Sequence, residues 1–105
     1  MEHLTFTLAA PTAASGAKRQ AITGVVASGN LEVLVERSQP PGTCRIEVST
    51  AAQGFEPVWQ AVLDDFVARR AAGGLAISIN DGGARPDTVA LRLAQAVRLI
   101  EEDAQ

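Results

Sequence analysis

The sequence contains very few of the residues from which catalytic and metal centres are usually built. Its 105 residues include one histidine, one cysteine and no tyrosine. A hydrolase triad requires a histidine base near its nucleophile, and His3 lies near the N-terminus, where we expect a frayed surface position. A zinc site requires clustered histidine and cysteine ligands, whereas His3 and Cys44 are far apart in the chain. The sequence therefore predicts neither catalytic residues nor a metal site.

The single cysteine and the absence of long apolar runs indicate the compartment. One cysteine excludes an internal disulfide and fits a reducing environment, and Cys44 occupies an inward strand position where inert core packing is expected. The first residues lack the basic flank and apolar stretch of a signal peptide. No stretch approaches the roughly 18 apolar residues of a membrane span. We expect a cytoplasmic protein without membrane association.

Charge and glycine patterns exclude further classes. Nine basic and twelve acidic residues give a net charge of −3, so no nucleic-acid partner is expected, because nucleic-acid binding requires clustered basic residues. Gly82-Gly83 lacks the lysine of a phosphate loop and predicts an ordinary turn. Asp64 and Asp65 are adjacent on a predicted helix and diverge by about 100°, so they are not expected to share a proton.

Alternating apolar residues predict five strands in one domain spanning residues 1–105. The predicted strands are 4–8, 22–27, 31–36, 44–48 and 75–79. Small and polar residues at 9–20 predict a mobile loop. Gly29-Asn30 predicts a two-residue hairpin turn between the second and third strands, because both residue types tolerate positive φ.

Two segments have the three- and four-residue spacing of amphipathic helices. The first begins near residue 55 with Pro57 in its first turn, carries Trp59 on its buried stripe and stops at Gly73-Gly74. The second begins at Pro86 and ends near Glu102, with Arg92, Gln95 and Glu102 facing outward. Together the elements predict an α+β fold: one layer of mostly antiparallel sheet, with about four to five strands and two helices on one face.

Two motifs, with Trp59 in the first helix, give the chain a family resemblance. Ser28-Gly29-Asn30, followed by Leu31-Glu32-Val33-Leu34, resembles the Ser-Gly-Asp attachment hairpin of the malonate decarboxylase carrier (delta) subunit. The segment from Asp81 to Pro86, followed by Leu91-Arg92-Leu93, resembles the Asp-x-Gly-Ala-x-Pro turn and helix start of that family. The resemblance covers nearly the whole chain, in order. Asn30 stands where the family commonly has Asp, which removes a negative charge beside Ser28. Modification would be weaker if the modifying enzyme reads that charge.

The resemblance implies a non-catalytic acyl carrier. Ser28 would hold 2'-(5''-phosphoribosyl)-3'-dephospho-CoA through a phosphodiester, with Gly29 and Asn30 forming the turn that presents it. The terminal thiol of the arm would hold acetyl, which a malonyl transferase exchanges for malonyl. The implied partners are the acyl-transferase and decarboxylase subunits of malonate decarboxylase and a prosthetic-group transferase.

Three alternatives remain open at the level of the sequence. The carrier chain of citrate lyase uses a similar arm on a Ser-Gly-Asp serine, although the strand after Ser28 and the turn from Asp81 to Pro86 favour the malonate branch. A small interaction module without a prosthetic group would explain the core equally well. A stand-alone enzyme is disfavoured by the scarcity of catalytic residue types.

Overall fold

The computed structural model describes residues 1–16, 18–24 and 30–102. The elements in chain order are β1 Glu2–Ala9, β2 Gln20–Gly24, β3 Leu31–Arg37, β4 Thr43–Thr50, α1 Glu56–Arg69, β5 Leu75–Asp81 and α2 Pro86–Glu101. The five predicted strands and two predicted helices are therefore confirmed, apart from shifts of their ends. Pro57 lies in the first turn of α1 and Pro86 begins α2, where the missing proline N–H costs no helical hydrogen bond.

The five strands form one mixed sheet with the order β1-β4-β5-β3-β2. Three pairings are antiparallel, as predicted, and β4 pairs with β5 in parallel. The parallel pair follows from the connection, since α1 crosses between β4 and β5 and returns the chain in the same direction. The fold is α+β, as the sequence predicts.

One face of the sheet is buried and carries both helices. Side chains alternate between buried and accessible along the central strands, with Val33, Ile46 and Ile77 at most 1% exposed. Helix α2 packs over β2 and β3, and α1 packs against α2 and β1. Leu63 and Leu93 of the helices are fully buried against this sheet face, and each such side chain stabilises the fold by about 1.5–3 kcal/mol. The prediction of two helices on one face is confirmed.

The pairing of β2 with β3 differs from the predicted hairpin. Ile22 pairs with Leu34 and Gly24 with Glu32, whereas a two-residue turn at Gly29-Asn30 would place Ile22 opposite Arg37 in an uninterrupted ladder. The predicted register is therefore wrong over the described pairs. Gly24 has φ of +86°, which ends the extended backbone, so residues 25–30 connect the strands. Val25–Ala27 of the predicted strand lie outside the described residues.

The connection from β1 to β2 makes several backbone contacts. The amide of Ala14 donates to Gly73, and that of Gly73 donates to Thr12. Arg37 donates to the carbonyl oxygens of Lys18, Ala14, Ser15 and Ile100. The mobility predicted for 9–20 stays a prediction. Within the described ranges, no helix is both long enough and apolar enough to cross a membrane.

Candidate functional site

The predicted attachment site lies in the connection between β2 and β3. Ser28 and Gly29 are outside the described residues, and Asn30, which immediately precedes β3, is described. The predicted roles of these three residues stay predictions. The structure does describe the frame of the connection: Gly24 at the end of β2, Asn30 at its other end, and the elements that contact both.

Asn30 contacts both segments of the second sequence motif. Its carbonyl oxygen accepts a hydrogen bond from the amide of Gly82 at 2.7 Å, which lies in the turn between β5 and α2. Its Oδ1 accepts from Nη2 of Arg92 at 3.2 Å and from the amide of Leu31 at 2.8 Å. The two motifs therefore meet at Asn30, which is more than 50 positions from both Gly82 and Arg92 in the chain.

A buried network holds the turn that contacts Asn30. Asp81 is 4% exposed and Thr50 fully buried. The hydroxyl of Thr50 donates to Oδ2 of Asp81 at 2.7 Å, and the amide of Ala84 donates to Oδ1 at 2.8 Å. Thr50 Oγ1 also accepts from the amide of Ala52. Because buried polar groups stabilise a structure only when their hydrogen bonds are satisfied, this network fixes the position of Gly82 and hence of Asn30.

Arg92, which is predicted to face outward, is half-buried beside the same connection. Its Nη1 donates to Oε1 of Gln95 at 3.0 Å, and its Nε is buried without an acceptor. A Cβ on Gly24 would lie 3.1 Å from both Cδ and Nε of Arg92. Across the ranges given above, Arg92 forms no ion pair with a carboxylate. Its two hydrogen-bond acceptors within the described part of the chain are neutral amide oxygens, so neither of these contacts compensates its positive charge.

Arg92 also lines an open groove of about 380 Å³ between β2 and α2. We call it the basic groove; its lining residues are Thr23, Arg92, Gln95, Arg98, Leu99 and Glu102. The one carboxylate of this lining, that of Glu102, pairs with Lys18 at 3.4 Å. The groove therefore presents two guanidinium groups beside a carboxylate that already has a cationic partner.

The other residues considered from the sequence are not brought into a reactive set. His3 is exposed, as predicted, but it pairs with Ser49 in the β1–β4 ladder instead of fraying. Its Nδ1 is 2.9 Å from the hydroxyl of Ser49 on the accessible sheet face. Asp64 and Asp65 bind different partners, Gln60 and Arg69. Hydrogen bonding to Asp65, together with its charge, raises the pKa of Arg69. Among the residues with described positions, no group of three His, Cys, Asp or Glu side chains could hold a metal ion.

Cys44 is fully buried, as predicted. Burial raises the pKa of the Cys44 thiol to about 12, because a thiolate would lose its hydration inside the core. The thiol is therefore protonated at neutral pH, and a protonated, inaccessible thiol is a poor nucleophile.

An apolar cleft of about 410 Å³ opens where α1 and α2 begin. Phe55 and Val58 lie on its accessible side, 50% and 41% exposed, and Trp59 lies at its inner side, 6% exposed. Asp81 also lines the cleft, so the cleft adjoins the turn that contacts Asn30.

The protein is therefore a small α+β domain in which the turn after β5 and helix α2 both contact the connection between β2 and β3. The family model of the malonate decarboxylase delta subunit (MdcD) matches residues 18–100. The chain belongs to this family.

Two curated relatives have the same name, malonate decarboxylase acyl carrier protein. The one from Bradyrhizobium diazoefficiens is 62% identical over 105 residues, the full length of both chains. The one from Stenotrophomonas maltophilia is 44% identical over 100 residues, 95% of this chain and 94% of the relative. A chain of a Pseudomonas malonate decarboxylase hetero-tetramer, solved as a crystal structure in complex with malonate, has 38% identity and a TM-score of 0.83. The match covers 95% of this chain and 99% of that one.

Proposed function

We propose that this protein is the acyl carrier subunit of a malonate decarboxylase and that Ser28 holds its prosthetic group. The observation that carries the proposal is the meeting of the family's two motifs at Asn30, two residues from Ser28. Full-length similarity to relatives named as acyl carriers supports the same function. The match to the malonate decarboxylase delta family favours this function over the citrate lyase carrier.

The prosthetic group that we propose is 2'-(5''-phosphoribosyl)-3'-dephospho-CoA, joined to Ser28 through a phosphodiester. The residues beside the connection fit a phosphate-bearing group, because Arg92 has a buried Nε without an acceptor and no carboxylate partner within the described chain. When attached, the arm supplies a thiol that holds acetyl or malonyl as a thioester. The protein supplies position and tethering, which gives the thioester an effective concentration on the order of millimolar at its partners.

For the arm to be attached to Ser28, the donor molecule would carry the reacting phosphorus as a phosphoanhydride. Ser28 Oγ forms the new bond to phosphorus, and the anhydride P–O bond breaks. The released phosphate group leaves with the electron pair, and the serine proton passes to solvent or to a base of the transferase. This chain supplies the hydroxyl group and the frame around it.

We propose that the protein is not itself catalytic and works with other subunits. The similar chain of known structure belongs to a malonate decarboxylase hetero-tetramer. By analogy, the partners would be the acyl-transferase and decarboxylase subunits, a malonyl transferase and the prosthetic-group transferase.

Intact-mass analysis after co-expression with the prosthetic-group enzymes tests this function. Wild type should gain the mass of one arm, and Ser28→Ala should gain none because the esterified oxygen is missing. Ser38→Ala is the matched control, since Ser38 is an exposed serine immediately after β3. Unmodified wild type, or equal loading of Ser28→Ala, would contradict the proposal and favour an interaction module without a prosthetic group.

A further inference from the structure

We propose that β1 is a docking edge for a second copy of this chain. The β1 strands of the two copies pair antiparallel about a twofold axis and join the two sheets into one. This inference goes beyond the proposed function and does not depend on it. Three observations carry it: the unpaired backbone groups along β1, the lack of features that keep an edge strand from pairing, and a side-chain pattern that is complementary to itself.

One edge of β1 has no strand beside it. Among the described residues β4 is the sole neighbour of β1 in the sheet. The amide of Ala10 donates to the carbonyl oxygen of Gly42, so alternate residues counted back from Ala10 direct their backbone groups towards β4. The intervening residues direct theirs away from the sheet; they are His3, Thr5, Thr7 and Ala9. Within the described chain these outward groups have no backbone partner.

The residues that flank the undescribed positions lie at the other edge of the sheet. Gly24 ends β2 and Asn30 immediately precedes β3. Glu102 lines the groove between β2 and α2, and Lys18 pairs with it. Three strands separate β1 from β2, so at about 4.8 Å between neighbouring strands the two edges are about 19 Å apart. The open edge of β1 therefore lies on the side of the molecule away from these residues.

β1 lacks the features by which natural edge strands avoid pairing with other chains. Such strands are short, bulged or covered, or they carry proline or lysine. β1 pairs with β4 over eight consecutive residues without a bulge, and it contains no proline, lysine or arginine. At the other edge, β2 has only five residues and ends at Gly24, whose φ is positive. β1 is therefore the edge that is suited to pairing.

The side chains of β1 are complementary to themselves in the antiparallel register centred on Phe6. With Phe6 opposite Phe6 of the second copy, Leu4 lies opposite Leu8 and Thr5 lies opposite Thr7. The pairs of Thr5 with Thr7 exchange backbone hydrogen bonds, because both residues direct their backbone groups outward. Leucine then faces leucine on the inner face and threonine faces threonine on the open face, which are favourable cross-strand pairs.

The charge of Glu2 favours this register over the neighbouring one. A register centred on Thr5 places the carboxylate of Glu2 opposite Leu8. In the register centred on Phe6, Glu2 lies at the outer end of the paired segment, opposite Ala10. The two copies of Glu2 are then at opposite ends of the interface, so no like charges face each other across it.

Pairing at this edge also extends the burial of the inner face. Leu4 and Leu8 pack against the core but are only half-buried. Five strands at about 4.8 Å each span about 24 Å, and two helices of about 10 Å each cover about 20 Å. The two helices of each copy therefore fit over their own five strands, and two copies can meet along β1 without a collision between their helices.

The test measures self-association of the unloaded, full-length chain by sedimentation equilibrium from about 10 μM to about 1 mM. Wild type should form a species of twice the 10.9 kDa monomer mass as the concentration rises. The second readout is amide hydrogen exchange resolved to single residues. Exchange at Thr5 and Thr7 should slow at the concentrations at which the dimer forms, because their N–H groups gain acceptors.

Two double variants of opposite charge test the register. Thr5→Lys with Thr7→Lys places like charges opposite each other, and so does Thr5→Glu with Thr7→Glu. Each variant alone should dimerise about tenfold more weakly than wild type, and an equimolar mixture should restore dimerisation because opposite charges then face each other. Within one copy Thr5 pairs with Glu47 and Thr7 with Arg45, so each variant gains one attractive and one repulsive neighbour and should keep its fold.

Gln20→Lys with Ile22→Lys is the matched control for the lysine variant. It adds the same two charges to exposed positions of β2, at the other edge of the sheet. It should dimerise as wild type does, because the proposed interface does not include β2.

Wild type that stays monomeric at the highest concentration, with fast exchange at Thr5 and Thr7, would overturn the inference whether or not the variants fold. A dimer that the control weakens as much as the lysine variant does, or that the mixture fails to restore, would overturn the assignment to β1. Exchange that slows only when the other subunits of a malonate decarboxylase are added would show that β1 binds a different chain. None of these measurements uses the attached group, so each result leaves the proposed function intact.

Discussion

Cys44 shows how burial alone determines the chemistry of a single residue. It lies on the inner face of β4 and is fully buried, and the pKa of its thiol is raised to about 12 from an ordinary value of 9.0. The neutral thiol is therefore favoured by folding, and this residue cannot act as the acyl-carrying thiol at neutral pH.

The raised pKa of Cys44 predicts a loss of stability at alkaline pH. Because the folded pKa lies above the unfolded one, the stabilising contribution is complete below pH 9 and declines as pH rises towards 12. Wild type should therefore lose free energy of unfolding relative to Cys44→Ala between pH 9 and pH 12. Urea unfolding at stepped pH measures this, and parallel curves for the two proteins would contradict the burial of the thiol.

Trp59 is the core residue at which we expect truncation to be most destabilising. It is 6% exposed between the helices and the sheet, in agreement with its predicted position on the buried stripe of α1. Trp59→Ala should destabilise the fold by about 3–5 kcal/mol, because the cavity left by an indole cannot be refilled. Phe55→Ala, at a position 50% exposed, should have a much smaller effect in the same urea titration. An unchanged free energy of unfolding for Trp59→Ala would place the indole outside the core.

At the scale of elements, the sequence predicts which segments form strands and helices better than how they pair. Alternating positions such as Ile46 and Ile77 and the helical stripe through Leu63 reflect burial on one face, which local sequence records directly. The ladder of β2 with β3 ends at Gly24, which has a positive φ and lies next to Arg92 of α2. The proximity of Gly24 to Arg92 joins segments far apart in the chain, and local sequence does not encode it.

The residues of the candidate site show the same difference between what local sequence encodes and what tertiary contacts determine. Ser28, Gly29 and Asn30 were singled out by resemblance to a family motif, whereas Arg92 was assigned to the outer face of α2 from helical periodicity. Its contact with Asn30 depends on α2 lying over β2 and β3, which is a tertiary feature. The Leu91-Arg92-Leu93 segment, which carries part of the family resemblance, is the signal in the sequence that includes this arginine.

Among the described residues, Arg37 makes the most side-chain hydrogen bonds to the connection from β1 to β2. Arg37 donates to four backbone carbonyls, three of them in that connection. Arg37→Met should leave those carbonyls without this donor and speed native-state trypsin cleavage after Lys18 and Arg19, roughly tenfold for each 1.4 kcal/mol of opening free energy. Arg45→Met is the control. Equal cleavage rates at unchanged Tm would show that Arg37 does not restrain the segment.

At the scale of the whole molecule, the two sheet faces have different roles. The inner face and the helices form the core, while Thr5, Glu47 and Ser78 lie side by side on the open face. A Cα radius of gyration of 12.7 Å is close to the 13 Å or so of a compact domain of about 100 residues, which supports the proposal of a single carrier domain.

The motif residues also converge on one end of the molecule. The turn from Asp81 to Ala84, the connection from β2 to β3 and the second turn of α2 meet around Asn30. This arrangement holds the two ends of the connection, Gly24 and Asn30, in contact with α2 and with the turn after β5. Under the proposed function, a group tethered at Ser28 would reach the active sites of partner subunits from this frame.

Peptide-level mass spectrometry of the loaded protein tests the central claim most directly. Trypsin cleavage after Arg19 and Arg37 yields a peptide spanning residues 20–37, in which Ser28 is the only serine and Thr23 the only threonine. Fragment ions should place the whole added mass on Ser28. An arm on Thr23, on any other peptide, or on none would contradict the assignment of this chain as a carrier that is loaded at Ser28.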